Sequence, residues 1–269
     1  RLFCKRGESI GMRRIIALLV MICFVAGTFA KVPVTGNKIR LTDNWEFLRQ
    51  DVGNIWELVR PIKKGQPEEQ PIWTKVTLPH CFNAEDAVDP DLNYYQGPGW
   101  YKTRLKLDNP YPDGRMVLEF EGAGQKTDVY VYMTKVGSHV GGYDSWNVDI
   151  TDAVRAFRAS KDAERLGGEI PLSIRCDNTR DAEMIPSDLS DFNLYGGIYR
   201  YLNLVYLPEV SVASLRIEPA LDTKLKKGML KVSGTFYNPA DVREALVEVT
   251  VKNVKGEVVS TRTLDKITP

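Results

Sequence analysis

The chain has 269 residues, 43% of them hydrophobic, 26% charged and 10% aromatic, which is an ordinary globular composition with room for one large domain or two. Its 36 Lys and Arg side chains nearly balance its 35 Asp and Glu, and this balance argues against nucleic acid as the main partner. Two His make a histidine metal site improbable, and 21 Gly with 15 Pro favour strands and loops over a helical bundle.

The first 30 residues have the pattern of a secretory signal peptide. A basic run, Met12-Arg13-Arg14, precedes an apolar stretch of 13 residues from Ile15 to Gly27, and Thr28-Phe29-Ala30 then supplies small residues for cleavage after Ala30. The stretch is shorter than the ~20 residues of a transmembrane helix. We therefore predict a secreted or periplasmic protein without a membrane span, with Met12 as its natural start. A membrane anchor and lipid attachment at Cys23 are the alternatives.

Beyond the leader, only Cys81 and Cys176 remain, because Cys4 and Cys23 lie within residues 1–30. An oxidising destination permits a bridge between the two, but two cysteines do not make a disulfide framework. Two separate buried thiols are the simpler prediction, and the sequence does not decide between them.

Short apolar runs of period two follow one another along the rest of the chain, separated by turn-forming residues. They predict strands at Trp73–Leu78, Trp100–Leu107, Met116–Phe120, Asp128–Met133, Leu172–Arg175, Tyr199–Leu207, Val210–Ile217, Met229–Tyr237, Ala245–Val251 and Val258–Leu264. The clearest helix is Thr151–Arg158, with Thr151 as its N-cap. The glycines around His139 indicate a loop. Many short strands with turn signals predict an all-β jelly-roll sandwich.

A domain boundary is expected near Leu207-Pro208-Glu209. Residues 211–269 supply about four strands, whereas an immunoglobulin-like sandwich needs ~100 residues. We therefore predict residues 1–30 as leader, 31–208 as a jelly roll and 209–269 as a partial immunoglobulin-like sandwich, and we interpret the chain as a fragment of a longer protein.

Five motifs in the region from Trp73 to Leu207 resemble, in order, the N-terminal sugar-binding jelly roll of glycoside hydrolase family 2. The family includes β-galactosidases, β-mannosidases and β-glucuronidases. The motifs are Trp73-Thr-Lys-Val-Thr-Leu-Pro-His80, Tyr94-Tyr-Gln-Gly-Pro-Gly-Trp-Tyr101, Val136-Gly-Ser-His-Val-Gly-Gly-Tyr143, Trp146 ahead of Asp149-Ile-Thr-Asp152, and Asp191-Phe-Asn-Leu-Tyr-Gly-Gly-Ile-Tyr-Arg200.

The resemblance implies a galactose-binding-like jelly roll, followed by an immunoglobulin-like domain and a (β/α)₈ barrel that would carry both catalytic Glu residues. We identify no catalytic residues and no metal site in this chain, and expect it to be inactive alone. The parent is expected to be a retaining exo-β-glycosidase, most simply a β-galactosidase. A β-glucuronidase or β-mannosidase parent and a free carbohydrate-binding or adhesion sandwich are the alternatives.

The resemblance also places three substrate-binding residues. Asp191 matches the family aspartate that meets sugar hydroxyls and a bound monovalent cation, with Asp188 in that place if the register slips and a turn-capping role as the alternative. Tyr95 and Gln96, beside Tyr94, match a loop that approaches the pocket, although the family's β-galactosidases place Asn near Gln96. Packing is the alternative for both tyrosines, and a structural ion pair with Asp191 or Asp188 is predicted for Arg200.

The partners implied are a carbohydrate substrate and the chain's own catalytic barrel, with a homo-oligomer left open. No cofactor is expected within this chain, while the full-length enzyme is expected to use Na⁺ or Mg²⁺. His80 is predicted as a hydrogen-bonded structural residue. The terminal sugar and its linkage are not readable from these residues.

Overall fold

The computed structural model describes residues 2–5, 14–17, 37–60, 71–86, 88–89, 91, 93–111, 113–187, 192–222, 224, 227–238 and 241–267. Contacts divide the chain into two compact units. One comprises Lys38–Asn109 with Arg115–Val205, and the other gathers what is described of Arg1–Asn37, Pro110–Gly114 and Tyr206–Pro269. None of the helices in these ranges is long and apolar enough to cross a bilayer.

The described elements are mostly strands, in agreement with the predicted all-β class. The strands are β1 Leu2–Lys5, β2 Arg14–Ala17, β3 Asn37–Arg40, β4 Trp45–Leu48, β5 Thr74–Val76, β6 His80–Cys81, β7 Pro98–Leu105, β8 Arg115–Phe120, β9 Lys126–Val131, β10 Thr134–Val140, β11 Trp146–Asp149, β12 Ile170–Asp177, β13 Gly197–Ile198, β14 Leu202–Leu207, β15 Ser211–Leu221, β16 Gly228–Tyr237, β17 Ala245–Lys252 and β18 Val258–Ile267. The helices are α1 Trp56–Val59, α2 Thr151–Arg158 and α3 Lys161–Arg165.

Two sheets build the jelly roll. One has six strands in the order β10-β9-β12-β7-β4-β5, and the other has four in the order β11-β8-β14-β3. Because successive residues of a strand face opposite sides, each sheet sends alternate side chains into a common core. Its largest fully buried side chains are Trp45, Trp100, Tyr101, Phe120, Leu118, Ile150, Ile170, Leu172, Ile174, Ile198 and Leu202.

The other unit contains two antiparallel pairs, β15 with β16 and β17 with β18. Val210, Val242 and Ala245 form a small buried cluster in it, and Phe236 packs against this cluster. At the start of the chain, β1 and β2 also pair with each other in antiparallel fashion.

Three details of the prediction were wrong. His139 lies in strand β10 and not in a loop, where its Nε2 is 3.0 Å from Asp144 Oδ1 and its ring stacks on Trp146. The run Tyr199–Leu207 is not one strand, because β13 ends at Ile198 and β14 begins at Leu202.

The third detail is the start of helix α2. Thr151 is its first residue and not its N-cap, which is Ile150. The backbone N–H of Thr151 donates to Asp149 Oδ1 at 2.9 Å, so an acceptor two residues earlier satisfies this free donor of the helix terminus. A carboxylate at this end of the helix also complements the helix dipole.

Candidate functional site at the loop end

The site begins with the loop that directly precedes β7. Tyr94 and Gln96 are exposed in this loop, with 43% of Tyr94 accessible to solvent. Tyr95 is half-buried: its hydroxyl donates to the Pro98 carbonyl at 2.8 Å, and its ring meets Phe82 edge-on at 5.7 Å. Burial raises the pKa of the Tyr95 hydroxyl, which keeps it a neutral donor.

An ion pair between a buried carboxylate and an exposed guanidinium supports the same loop. The carboxylate of Asp86, only 3% exposed, pairs with the guanidinium of Arg49. Asp86 Oδ2 also accepts the backbone N–H of Tyr95 at 2.8 Å, and the Arg49 guanidinium lies 4.4 Å from the centroid of the Tyr95 ring. Charge-assisted hydrogen bonds of this kind are stronger than neutral ones, so Tyr95 is held from both its backbone and its ring.

A second segment, Asn193–Gly197, lies beside this loop. We call the two segments, Tyr94–Gly97 and Asn193–Gly197, the loop end. Asn178, directly after β12, donates from Nδ2 to the carbonyls of Tyr95 and Leu194, each at 2.8 Å. Its Oδ1 accepts the N–H of Gly97 at 2.9 Å. One buried amide therefore joins both segments of the loop end.

Asn83 makes a similar set of hydrogen bonds, all to the second segment. Its Nδ2 donates to the Leu194 carbonyl at 2.8 Å and to Asn193 Oδ1 at 3.0 Å, while its Oδ1 accepts the N–H of Gly196 at 2.9 Å. Asn83 and Asn178 are both 0% exposed. Buried amides with this many partners are costly to disturb, because each broken bond leaves a desolvated polar group.

Two glycines allow the close approach of the second segment. A Cβ on Gly196 would lie 2.2 Å from Phe82 Cζ, and one on Gly197 would lie 2.4 Å from the Tyr101 hydroxyl oxygen. Gly197 also has φ of +111°, a conformation that side chains with a Cβ rarely adopt. These contacts explain the Gly-Gly pair in the fifth sequence motif.

His80 and Tyr101 close the base of the site. His80 Nδ1 is 2.8 Å from the Tyr101 hydroxyl, and burial lowers the pKa of the imidazole. Tyr101 is 0% exposed, and burial raises its pKa well above the usual range. Both groups are thus held neutral, in agreement with a structural role for His80.

The predicted site residues fall into two groups. Tyr95 and Gln96 lie at the loop end, and their contact with substrate stays a prediction. Asp191 and Asp188, the predicted sugar-contacting residue and its alternative, lie outside the described residues, and the ion pair proposed for Arg200 with either of them cannot be placed. The nearest described positions in sequence are Ser187 and Phe192.

Sequence reasoning missed the residues that hold the loop end, namely Arg49, Asn83, Asp86 and Asn178. The signal available for the two asparagines was their position just after β6 and β12, in Cys81-Phe82-Asn83 and Cys176-Asp177-Asn178. Cys81 and Cys176 themselves are free thiols, and burial raises the pKa of Cys176 to about 12.

The chemistry available at the loop end suits sugar recognition. Tyr94 and Tyr195 expose 43% and 48% of their surfaces, and Phe192, directly before the second segment, exposes 50%. Aromatic rings stack on the C–H faces of sugars, and the exposed amide of Gln96 offers both a donor and an acceptor to hydroxyls. Within the described ranges, no cluster of three or more His, Cys, Asp or Glu is arranged to hold a metal ion.

The fold and the site define a class of domain. It is a jelly roll whose loops are held together at one end. The profile described as "Glycosyl hydrolases family 2, sugar binding domain" matches residues 62–208. The chain therefore belongs to glycoside hydrolase family 2, and the matched region is its N-terminal, non-catalytic sugar-binding domain.

Similar proteins carry more than one activity in their names. The solved β-glucuronidase of Parabacteroides merdae with glycerol in its active site is 67% identical, covers 90% of this chain and superposes with a TM-score of 0.84. A "Putative beta-glucuronidase" of Formosa agariphila is 30% identical over 79% of the chain, and a "Beta-galactosidase" of Thermoanaerobacter pseudethanolicus is 24% identical over 82%. The chain spans 30%, 23% and 28% of these three proteins.

Proposed function

We propose that the chain is the N-terminal part of a retaining exo-β-glucuronidase, in which the loop end forms one wall of the substrate pocket. The observation that carries this proposal is the 67% identity to the Parabacteroides merdae β-glucuronidase over 90% of the chain. The β-galactosidase expected from the sequence is the second candidate, supported by the 24% identity to the Thermoanaerobacter pseudethanolicus enzyme.

The role of the jelly roll in this proposal is to keep a pocket wall rigid. Substrate misplacement of about 1 Å can cost roughly 10²-fold in rate. The bonds from Asn83 and Asn178 fix the backbone of both segments of the loop end, while Tyr94 and Gln96 remain exposed above them. The catalytic carboxylates would come from a barrel that follows this chain. The full-length enzyme would use Na⁺ or Mg²⁺, and Asp191 would contact a bound monovalent cation.

The test is the activity of the longer protein that contains this chain. We expect kcat/KM for an aryl β-glucuronide to exceed that for the matching aryl β-galactoside by roughly 10²-fold or more, because a site built for a carboxylate rejects a hydroxymethyl group. The 269-residue chain alone serves as the control and should hydrolyse neither substrate. A preference for the galactoside would replace this proposal with the second candidate.

We also propose that the protein acts outside the cytoplasm after cleavage following Ala30. The basic run at Arg13-Arg14 and the apolar stretch after it support this proposal. N-terminal sequencing of the protein recovered from the native host should begin at or close to Lys31. An intact leader on a cytoplasmic protein would contradict it.

A further inference from the structure

The ion pair of Arg49 and Asp86 connects the end of strand β4 to the loop before β7. Arg49 directly follows β4, and Asp86 lies in the turn after β6. The same carboxylate oxygen, Asp86 Oδ2, accepts hydrogen bonds from Arg49 Nη2 and from the backbone N–H of Tyr95. One oxygen atom therefore joins two segments that are distant in sequence to the loop that carries Tyr94 and Gln96.

A pair of this kind contributes little net stability to a fold. The carboxylate of Asp86 is buried, whereas the Arg49 side chain is 38% exposed. Attraction to a partly hydrated guanidinium offsets only part of the free energy lost when a carboxylate leaves water, and an apolar pair of similar volume often stabilises a protein as well or better. The best-attested use of such pairs is the selection of one chain arrangement.

Tyr95 is the residue on which the pair acts. The Arg49 guanidinium lies 4.4 Å from the centroid of the Tyr95 ring, and the hydroxyl at the other end of the ring donates to the Pro98 carbonyl at 2.8 Å. A planar guanidinium stacks on an aromatic face in a way that an ammonium group does not. Because Tyr94 and Gln96 flank Tyr95 directly, a fixed Tyr95 sets the backbone from which both exposed side chains leave.

Arg49 is poorly suited to bind an anionic ligand itself. Asp86 balances its charge within hydrogen-bond distance, and the Tyr95 ring covers one face of the guanidinium. An incoming carboxylate would meet the negative charge of Asp86 together with the positive charge of Arg49, so the attraction and the repulsion would largely cancel.

We propose that Arg49 and Asp86 are positioning residues, which hold the segment Tyr94–Gly97 in one conformation before the substrate arrives. This inference rests on the proposed function, in which the loop end forms one wall of the substrate pocket. Both side chains act through Tyr95 and neither touches the substrate. A loop that is already ordered loses less entropy on binding, so the pair should lower KM and leave kcat nearly unchanged.

The test is steady-state kinetics of the longer enzyme on the aryl glycoside that the wild type hydrolyses best. Arg49→Met removes the partner of Asp86 and should raise KM about tenfold, with kcat within about twofold of the wild type. Arg49→Lys keeps the charge but loses the planar contact with Tyr95, so its KM should lie between these two values. Arg115→Met is the matched control: it breaks the pair of Arg115 with Asp149, 3.0 Å apart, and should leave KM unchanged.

Hydrogen–deuterium exchange of the 269-residue chain gives a second measurement, which does not depend on catalysis. Exchange in a peptide that contains Tyr94–Gly97 should be faster in Arg49→Met than in the wild type, because the Tyr95 N–H is held less firmly. In Arg115→Met the exchange of this peptide should stay close to that of the wild type.

The outcomes separate this inference from the proposed function. An active enzyme in which Arg49→Met keeps the wild-type KM, or in which Arg115→Met raises KM equally, would overturn the positioning role alone. A raised KM without faster exchange would assign Arg49 to direct substrate contact and also overturn it. A wild-type enzyme that hydrolyses no aryl glycoside would end the proposed function and this role together. If Arg49→Met does not fold, Arg49→Lys decides, and a KM equal to that of the wild type would contradict the proposal.

Discussion

The side chains of Asn83 and Asn178 donate hydrogen bonds to the same backbone oxygen, the carbonyl of Leu194, each at 2.8 Å. A carbonyl oxygen has two lone pairs, so a single peptide group accepts both amides. The two asparagines follow different strands, and their shared acceptor ties the ends of β6 and β12 to the Asn193–Gly197 segment. The geometry of the loop end therefore depends on a very small number of buried amides.

Replacing Asn178 by aspartate tests this dependence. Asn178→Asp turns the donor Nδ2 into an acceptor that faces the carbonyls of Tyr95 and Leu194. We expect the free energy of unfolding to fall by about 2–4 kcal/mol, because the Tyr95 carbonyl loses its bond from Asn178, the Leu194 carbonyl keeps only its bond from Asn83, and a charge enters a desolvated position. Urea denaturation measures this loss.

The matched control for this variant is Asn147→Asp, at an exposed position of β11. It makes the same chemical change in water and should cost less than about 0.5 kcal/mol. Equal effects of the two substitutions would show that the buried bonds of Asn178 contribute little.

Gly196 offers a steric test of the same segment. In Gly196→Ala the new Cβ would lie 2.2 Å from Phe82 Cζ and 2.3 Å from Phe82 Cε2, so the ring or the backbone must move. Overpacking of this kind costs about 1–3 kcal/mol of unfolding free energy. Gly228→Ala is the control, since a Cβ there meets nothing within 4 Å. The midpoint of its urea denaturation should stay near that of the wild type. A neutral Gly196→Ala variant would contradict the tight packing.

The class of the fold was predictable from the sequence, while its details depended on contacts between distant residues. Alternating apolar residues predicted β7, β8, β9 and β12 because one face of each strand enters the core. Gly137 misled the prediction for β10, since glycine usually marks a turn. The structure explains it by close packing: a Cβ on Gly137 would lie 2.9 Å from Val148 Cγ2.

The loop end was predictable only in part, and the reason is physical. Motif resemblance located Tyr95 and Gln96, which belong to one contiguous stretch. The hydrogen bonds that hold them come from Asn178 and Asp86, and both go to backbone groups of Tyr95. Such bonds depend on how the folded chain places distant residues, so they leave no periodic pattern in the sequence. Buried hydrogen-bond networks of this type become visible only once the strands are placed.

The stability of the domain should depend on the protonation of His80. Burial lowers the pKa of His80 from its ordinary value of 6.5, so the unfolded chain takes up a proton at a higher pH than the folded one. The contribution of neutral His80 to the free energy of unfolding is therefore complete above pH 6.5, and it is lost as the pH falls through the pKa of the folded state. We expect the free energy of unfolding to decrease as the pH falls below about 6.5, measured by urea titrations at each pH.

The comparison variant for this prediction is His80→Gln, which keeps an acceptor for the Tyr101 hydroxyl but does not titrate. Its unfolding free energy should change less with pH over the same window than that of the wild type. NMR titration of the imidazole gives the folded pKa directly. A folded value at or above 6.5, or identical pH dependence in the two proteins, would exclude this role for His80.

The last prediction concerns Asp191 in the longer enzyme that we propose. If Asp191 accepts hydrogen bonds from sugar hydroxyls, Asp191→Asn keeps the shape of the side chain but removes its charge and part of its acceptor capacity. The loss of a charged hydrogen bond costs about 1.5–3 kcal/mol, which corresponds to roughly 10–150-fold in kcat/KM. An aspartate that only caps a turn behaves differently, because asparagine caps nearly as well and activity should be retained.

Measuring kcat/KM together with the thermal midpoint separates a lost substrate contact from a damaged turn, and Asp188→Asn is the control for register. Kinetics close to wild type for Asp191→Asn, or a larger loss for Asp188→Asn, would remove Asp191 from the substrate site.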